Sequence, residues 1–170
     1  MNSLRKLIVT GLGAGYLPAS GTWGSMVSCA IYLVFWYALR SLDIVQAALL
    51  QSVLSPTMFL LAAASSFACV RLGTFAEQAF GKKDPKQCTI DEIAGQAVAL
   101  LLLPLSNPDK LWLCVLTAFL AFRFFDIVKP FPARRMEKHP YGWGVLLDDL
   151  AAGLYANLAS QLVLRVGFGL

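Results

Sequence analysis

From Ile44 to Val70 the chain carries no charged residue. Uncharged apolar runs recur at Met26–Leu39, Ile93–Leu105 and Leu111–Phe122, and again from about Leu150 to Leu164. An ionised side chain is costly beside apolar surroundings unless it is paired or solvated, so this spacing confines charge to the joints between the runs. Runs of this length read as helices rather than strands. They predict an all-α fold: a compact multi-helix bundle of about four to five apolar helices, polytopic in a membrane, with its polar loops gathered at one face. Apolar residues make up 58% of the sequence, above the roughly 45–50% of soluble domains. At 170 residues the chain reads as a single domain, 1–170.

Local signals place the joints. Residues 10–25 hold five glycines and a proline, which predicts an irregular loop, with Thr22 or Ser25 capping the helix that follows. Backbone amides of such a loop suit an anion, although the stretch matches neither a Walker A nor a dinucleotide fingerprint. Ser55 and Pro56 have the chemistry of an N-cap and first helical residue, so the second spanning helix should start there. Gly81 reads as its stop. Thr89-x-x-Glu92 fits a capping box, which leaves Asp91 and Glu92 divided between capping and chemistry. The third and fourth runs are short for the ~20 residues of a full span and must extend into flanking polar segments.

Five helices joined in this order bring residues 10–25, 71–92 and 123–149 to one face. With Arg5 and Lys6 just ahead of the first segment, eleven basic residues fall there against Arg40, Lys110 and Arg165 on the other, which points that face to the cytoplasm. A soluble bundle would gather the same segments at one end. The net charge of +4 does not suggest nucleic acid, because no basic stripe with interleaved aromatics lies outside the apolar segments. Four cysteines lack metal or redox spacing and predict a reducing compartment without disulfides.

The richest island is 123–153, with five basic and four acidic residues and the only histidine, His139. Adjacent Asp148 and Asp149 repel each other, and a hard cation relieves that repulsion better than a helix dipole needs two acids. Asp126 lies near a helix C-terminus, where the dipole disfavours it, with Arg123 and Lys129 three residues to either side. Carboxylates with Arg and Lys suit metal-assisted phosphoryl chemistry. His139 reads as a turn residue. A DxDxT nucleophile motif, a C-x5-R loop and the histidines of histidine-dependent lipid phosphatases are all missing from the sequence. A small channel or transporter, or a non-catalytic lipid-binding protein, is the alternative, but a conduction path would spread ionisable residues through the helices.

Four stretches together resemble the phosphatidylglycerophosphatase A family over almost the full length. They are Gly21-Thr22-Trp23-Gly24-Ser25 after Pro18; Gly81-Lys82-Lys83-Asp84-Pro85 leading to Ile90-Asp91-Glu92-Ile93-Ala94-Gly95; Phe122-Arg123-Phe124-Phe125-Asp126-Ile127-Val128-Lys129-Pro130-Phe131-Pro132; and Gly142-Trp143-Gly144 running into Asp148-Asp149-Leu150-Ala151-Ala152-Gly153. The resemblance implies a Mg²⁺-dependent phosphatase of phosphatidylglycerophosphate, multi-pass in the bacterial inner membrane, with its site facing the cytoplasm. It implies metal ligands at Asp91, Glu92, Asp148 and Asp149. Asp148, Asp149, Asp126 and Lys129 are the expected catalytic residues, and Arg123, Lys129, Lys82, Thr22 and Ser25 the expected substrate contacts. Arg134 and Arg135 should meet anionic lipid. Tyr141 and Trp143 depart from the family's glycine-rich turn before the paired aspartates.

Overall fold

The computed structural model describes residues 2–43, 46–83, 85–131 and 142–170. Among them every regular element is helical. The α-helices are α1 (Asn2–Val9), α2 (Ser20–Ser41), α3 (Ala47–Phe80), α4 (Ile90–Ala99), α5 (Leu111–Val128) and α6 (Trp143–Leu162). Short 3-10 turns precede α2 and α5, and a π turn, Val163–Gly167, follows α6. The all-α expectation holds. Three helices are long and apolar enough to cross a membrane: α2, α3, and α5 with its leading turn.

The short α4 is the centre of the bundle. Eight of its ten residues are buried, and it packs against α2, α3, α5 and α6. Its small residues let these neighbours close in. Ala94, Ala97 and Ala99 are wholly buried, and Gly95 meets the backbone of α6. Around its far half, Tyr32 and Trp36 of α2, Leu50, Leu54 and Met58 of α3, and Cys114 and Ala118 of α5 form the main apolar core.

Four boundaries differ from the sequence expectation. Helix α2 begins at Ser20, so Gly21 and Gly24 lie inside it; neither Thr22 nor Ser25 is a cap, and the Ser25 hydroxyl instead donates to the Gly21 carbonyl at 2.9 Å. Helix α3 runs unbroken through Pro56, so it does not start at Ser55. Leu50, Leu54 and Met58 continue one buried stripe across the proline, and this packing outweighs one missing N–H. Helix α4 stops at Ala99 instead of reaching Leu105. Helix α6 starts at Trp143, a turn and a half before the paired aspartates. Helix α5, in contrast, extends into its polar flank to Val128, as its short apolar run requires.

Candidate functional site

Two glycines decide where the carboxylates go. Helices α4 and α6 both start at the same end of the bundle and cross where Gly95 meets Gly153. A Cβ on Gly153 would stand 2.3 Å from the Gly95 carbonyl oxygen, and one on Gly95 would stand 2.6 Å from the Asp149 carbonyl oxygen. No side chain fits between these backbones. One turn towards the helix starts, four residues before each glycine, stand Asp91 and Asp149. The crossing therefore brings the two carboxylates face to face. Both are buried, as is Asp148. No acid occupies the first turn of α6, so Asp148 and Asp149 are not capping residues there.

The end of α5 supplies the cations. Arg123 pairs with Asp126 on its own helix, Nη1 to Oδ2, at 2.9 Å. Lys129 does not continue that ladder. It occupies the residue after the helix in a left-handed conformation, φ 46°. From there its Nζ reaches across to Asp148 Oδ2 at 2.5 Å. A lysine held at a positive φ is strained, and the ion pair to a buried carboxylate is what the strained turn accomplishes.

Helix α2 closes the site from the opposite side. A Cβ on Gly21 would lie 2.3 Å from Glu92 Oε1 and 3.0 Å from Arg123 Nη1; one on Gly24 would lie 2.9 Å from Glu92 Oε2. The glycines thus let the start of α2 lie directly against the Glu92 carboxylate. Thr89 makes no side-chain capping bond, so the expected capping box does not form on its side.

These elements enclose a cavity of about 190 Å³ lined by Asp91, Glu92, Asp126, Lys129, Asp148 and Asp149, with Ser20 and Lys86 at its wall. Asp149 sits at the polar head of α6, ahead of the apolar run. Burial pushes its carboxyl well above the ordinary 3.8, and Asp91, Asp126, Glu92 and Asp148 add to the shift by repulsion. Among the described residues no three His, Cys, Asp or Glu side chains stand in a ready metal-holding arrangement.

The structure gathers six of the expected residues into one cavity and sets Arg123 against it through Asp126. The cavity's lining does not include Lys82, which is exposed in the turn after α3, or Thr22 or Ser25 of α2. The glycine-rich segment reaches the cavity through Ser20, with Gly21 and Gly24 set against Glu92. Asp84, Arg134, Arg135, Glu137, Lys138, His139 and Tyr141 lie outside the described residues. Two contributors escaped sequence reasoning. Ser20 and Lys86 line the cavity and are joined by a 2.6 Å bond from the Ser20 hydroxyl to the Lys86 carbonyl. A signal for the crossing did exist: Asp-x-x-x-Gly occurs at 91–95 and again at 149–153, each with a second acid beside the aspartate.

The family model described as phosphatidylglycerophosphatase A matches residues 7–164. A Bacteroides thetaiotaomicron protein, provisionally named phosphatidylinositol-3-phosphatase, is 34% identical over 154 residues, covering 90% of this chain and 89% of that protein. Phosphatidylglycerophosphatase A of Haemophilus influenzae is 33% identical over 156 residues, 88% of this chain and 82% of its own. Phosphatidylglycerophosphatase A of Escherichia coli is 27% identical over 156 residues, 91% and 80% respectively. No solved structure matches the chain.

Proposed function

The chain belongs to the phosphatidylglycerophosphatase A family, and from that premise we propose that it removes the terminal phosphate of phosphatidylglycerophosphate, with Mg²⁺, at the cytoplasmic surface of the bacterial inner membrane. The observation that carries the reading is the convergence of Asp91, Glu92, Asp126, Asp148 and Asp149 with Lys129 in one cavity at the end of an apolar bundle. Three helices able to cross a membrane support a bilayer-borne substrate, and the excess of basic residues at the site's end supports a cytoplasmic orientation.

By donor chemistry the cavity would suit a hard divalent cation: its wall offers carboxylate oxygens, and burial first, then mutual repulsion, raises Asp149, which a cation would offset. Asp91, Glu92, Asp148 and Asp149 would hold it. When bound, Mg²⁺ supplies charge neutralisation at the phosphoryl group and acidifies a bound water. Lys129 turns from Asp148 to a phosphoryl oxygen, and Arg123, fixed by its ion pair, adds positive potential at the same wall. Asp126, aligned by that pair, takes the proton released as water attacks. Gly95, Gly153 and Gly21 let the helices that carry these side chains pack closely.

Phosphate release from phosphatidylglycerophosphate, phosphatidylinositol 3-phosphate and phosphatidic acid in mixed micelles, with Mg²⁺ and with EDTA, tests the proposal. Phosphatidylglycerophosphate should be hydrolysed fastest, and only with Mg²⁺. Preference for phosphatidylinositol 3-phosphate would move the substrate to the one in the Bacteroides relative's name. Release unaffected by EDTA would remove the metal.

A further inference from the structure

A second cavity, about 400 Å³, adjoins the first and shares Ser20 and Lys86 with it. Its remaining wall is the turn Gly15–Ala19 with Gln87. The two cavities differ in charge. The first is crowded with carboxylates, whereas among the described residues the second has no acidic residue in its wall and one cation, Lys86.

The wall is built rather than incidental. Gly15 lies so close to the Gln87 carbonyl that a Cβ there would stand 2.0 Å from the oxygen. The Ser20 hydroxyl ties α2 to the Lys86 carbonyl, so it does not cap its own helix. Ala19, ahead of α2, holds a left-handed conformation, φ 57°. Tyr16 and Leu17 of this wall, with Leu12 just before it in the chain, are exposed and give the cavity an apolar rim.

We infer that this second cavity takes the phosphodiester of the lipid headgroup, with Lys86 as its cation, while the terminal phosphate occupies the carboxylate cavity. The inference rests on the proposed function and goes beyond it by assigning specificity. A phospholipid phosphomonoester with a polyol spacer presents its groups in a fixed order: monoester, polyol, diester, acyl chains. The molecule presents matching surfaces in the same order: carboxylates and Lys129, the shared Ser20–Lys86 wall, the acid-free cavity, and the apolar rim. Phosphatidic acid has the monoester but no diester between it and the acyl glycerol, so it leaves the second cavity without an anion.

The test is Lys86→Gln beside Lys86→Arg, in mixed micelles. With phosphatidylglycerophosphate, Lys86→Gln should raise KM about tenfold and lower kcat less than about threefold, the pattern of lost ground-state binding through one charge-assisted contact. Inhibition by the product, phosphatidylglycerol, which keeps the diester alone, should weaken by a similar factor. Inhibition by inorganic phosphate should not change, and Lys86→Arg should restore KM. An unchanged KM in Lys86→Gln, or equal weakening of inhibition by inorganic phosphate, overturns the subsite while the proposed function stands. Wild-type protein that releases phosphate from neither phosphatidylglycerophosphate nor phosphatidylinositol 3-phosphate overturns the function and the subsite together.

Discussion

The two ends of α4 treat polar groups in opposite ways. At its far end the helix stops in apolar surroundings, with Leu102 in a left-handed conformation, φ 53°. Freed carbonyls there meet neutral donors. Asn157 Nδ2 donates to Leu101 at 2.6 Å and to Ala99 at 3.2 Å. Gln161 Nε2 donates to Leu102 at 2.6 Å, and Gln51 Nε2 donates to Leu103 at 2.9 Å. These amides do what an interrupted helix away from water demands. At the near end, among the described residues, five carboxylates line a cavity with Lys129 and Lys86 in its wall and Arg123 paired to Asp126. None of these charges completes the helix backbone, and burying carboxylates costs stability. Polar residues at one end complete the backbone; those at the other exceed what the backbone asks and are the mark of a site.

The largest effect should come from Asp149→Asn. Activity should fall about a thousandfold, as when one transition-state-stabilising group is lost. Stability should move the other way. In the native protein the Asp149 carboxyl binds its proton more tightly than in the unfolded chain, because burial and then neighbouring carboxylates raise it above 3.8. Its contribution is therefore full below 3.8 and is lost as pH climbs towards the native value. In EDTA, the unfolding temperature of the wild type in detergent should fall as pH rises above 3.8, and that of Asp149→Asn should fall less. Equal slopes would assign the repulsion to other carboxylates.

How much of this contrast was legible from residue order follows from range. Helix identity, the gathering of polar segments at one end and the acid pairs are local or periodic, and they were readable. The pairing of Lys129 with Asp148 was not, because the local spacing of Arg123, Asp126 and Lys129 pointed to a ladder on one helix. A left-handed turn at Lys129 redirects it, and no propensity signals a positive φ at lysine. Pro56 misled for a related reason: local chemistry favours a helix start there, and packing of residues two turns to either side overrode it. Gly21 and Gly24 looked like loop glycines because their reason, the carboxylate of Glu92, is distant in sequence.

Gly153→Val should have the next largest effect and should cut across both ends. Its side chain would meet the Gly95 carbonyl at 2.3 Å, so α4 and α6 must separate. Stability should drop by about 3 kcal/mol, and activity should fall with it because Asp91 and Asp149 part. Full activity in the folded fraction, measured after size-exclusion chromatography, would show that the crossing does not set the carboxylate geometry.

Asn157→Leu should affect only the far end. Leaving two carbonyls without this donor should cost about 2 kcal/mol, read as a lower midpoint of thermal unfolding. The kcat of the folded protein should remain that of the wild type. A loss of kcat larger than the loss of folded protein would join the two ends that the comparison separates.

Gln96 lies between the ends and should show the smallest effect on stability. It is wholly buried, one turn below Glu92, and neither amide atom has a hydrogen-bond partner among the described residues. A backbone-completing amide would have one, as Asn157 does. Gln96→Met keeps the length of the side chain and removes both polar atoms, so it should leave stability unchanged or raise it by up to about 1 kcal/mol. The comparison then places Gln96 by its activity. A fall in kcat without loss of stability, together with a shifted pH profile, would group it with Glu92 and the site, acting through that carboxylate's position. A destabilised protein with normal kcat would group it with Asn157 and Gln161, and would mean that the backbone-completing region extends further towards the cavity than the hydrogen bonds of the far end reach.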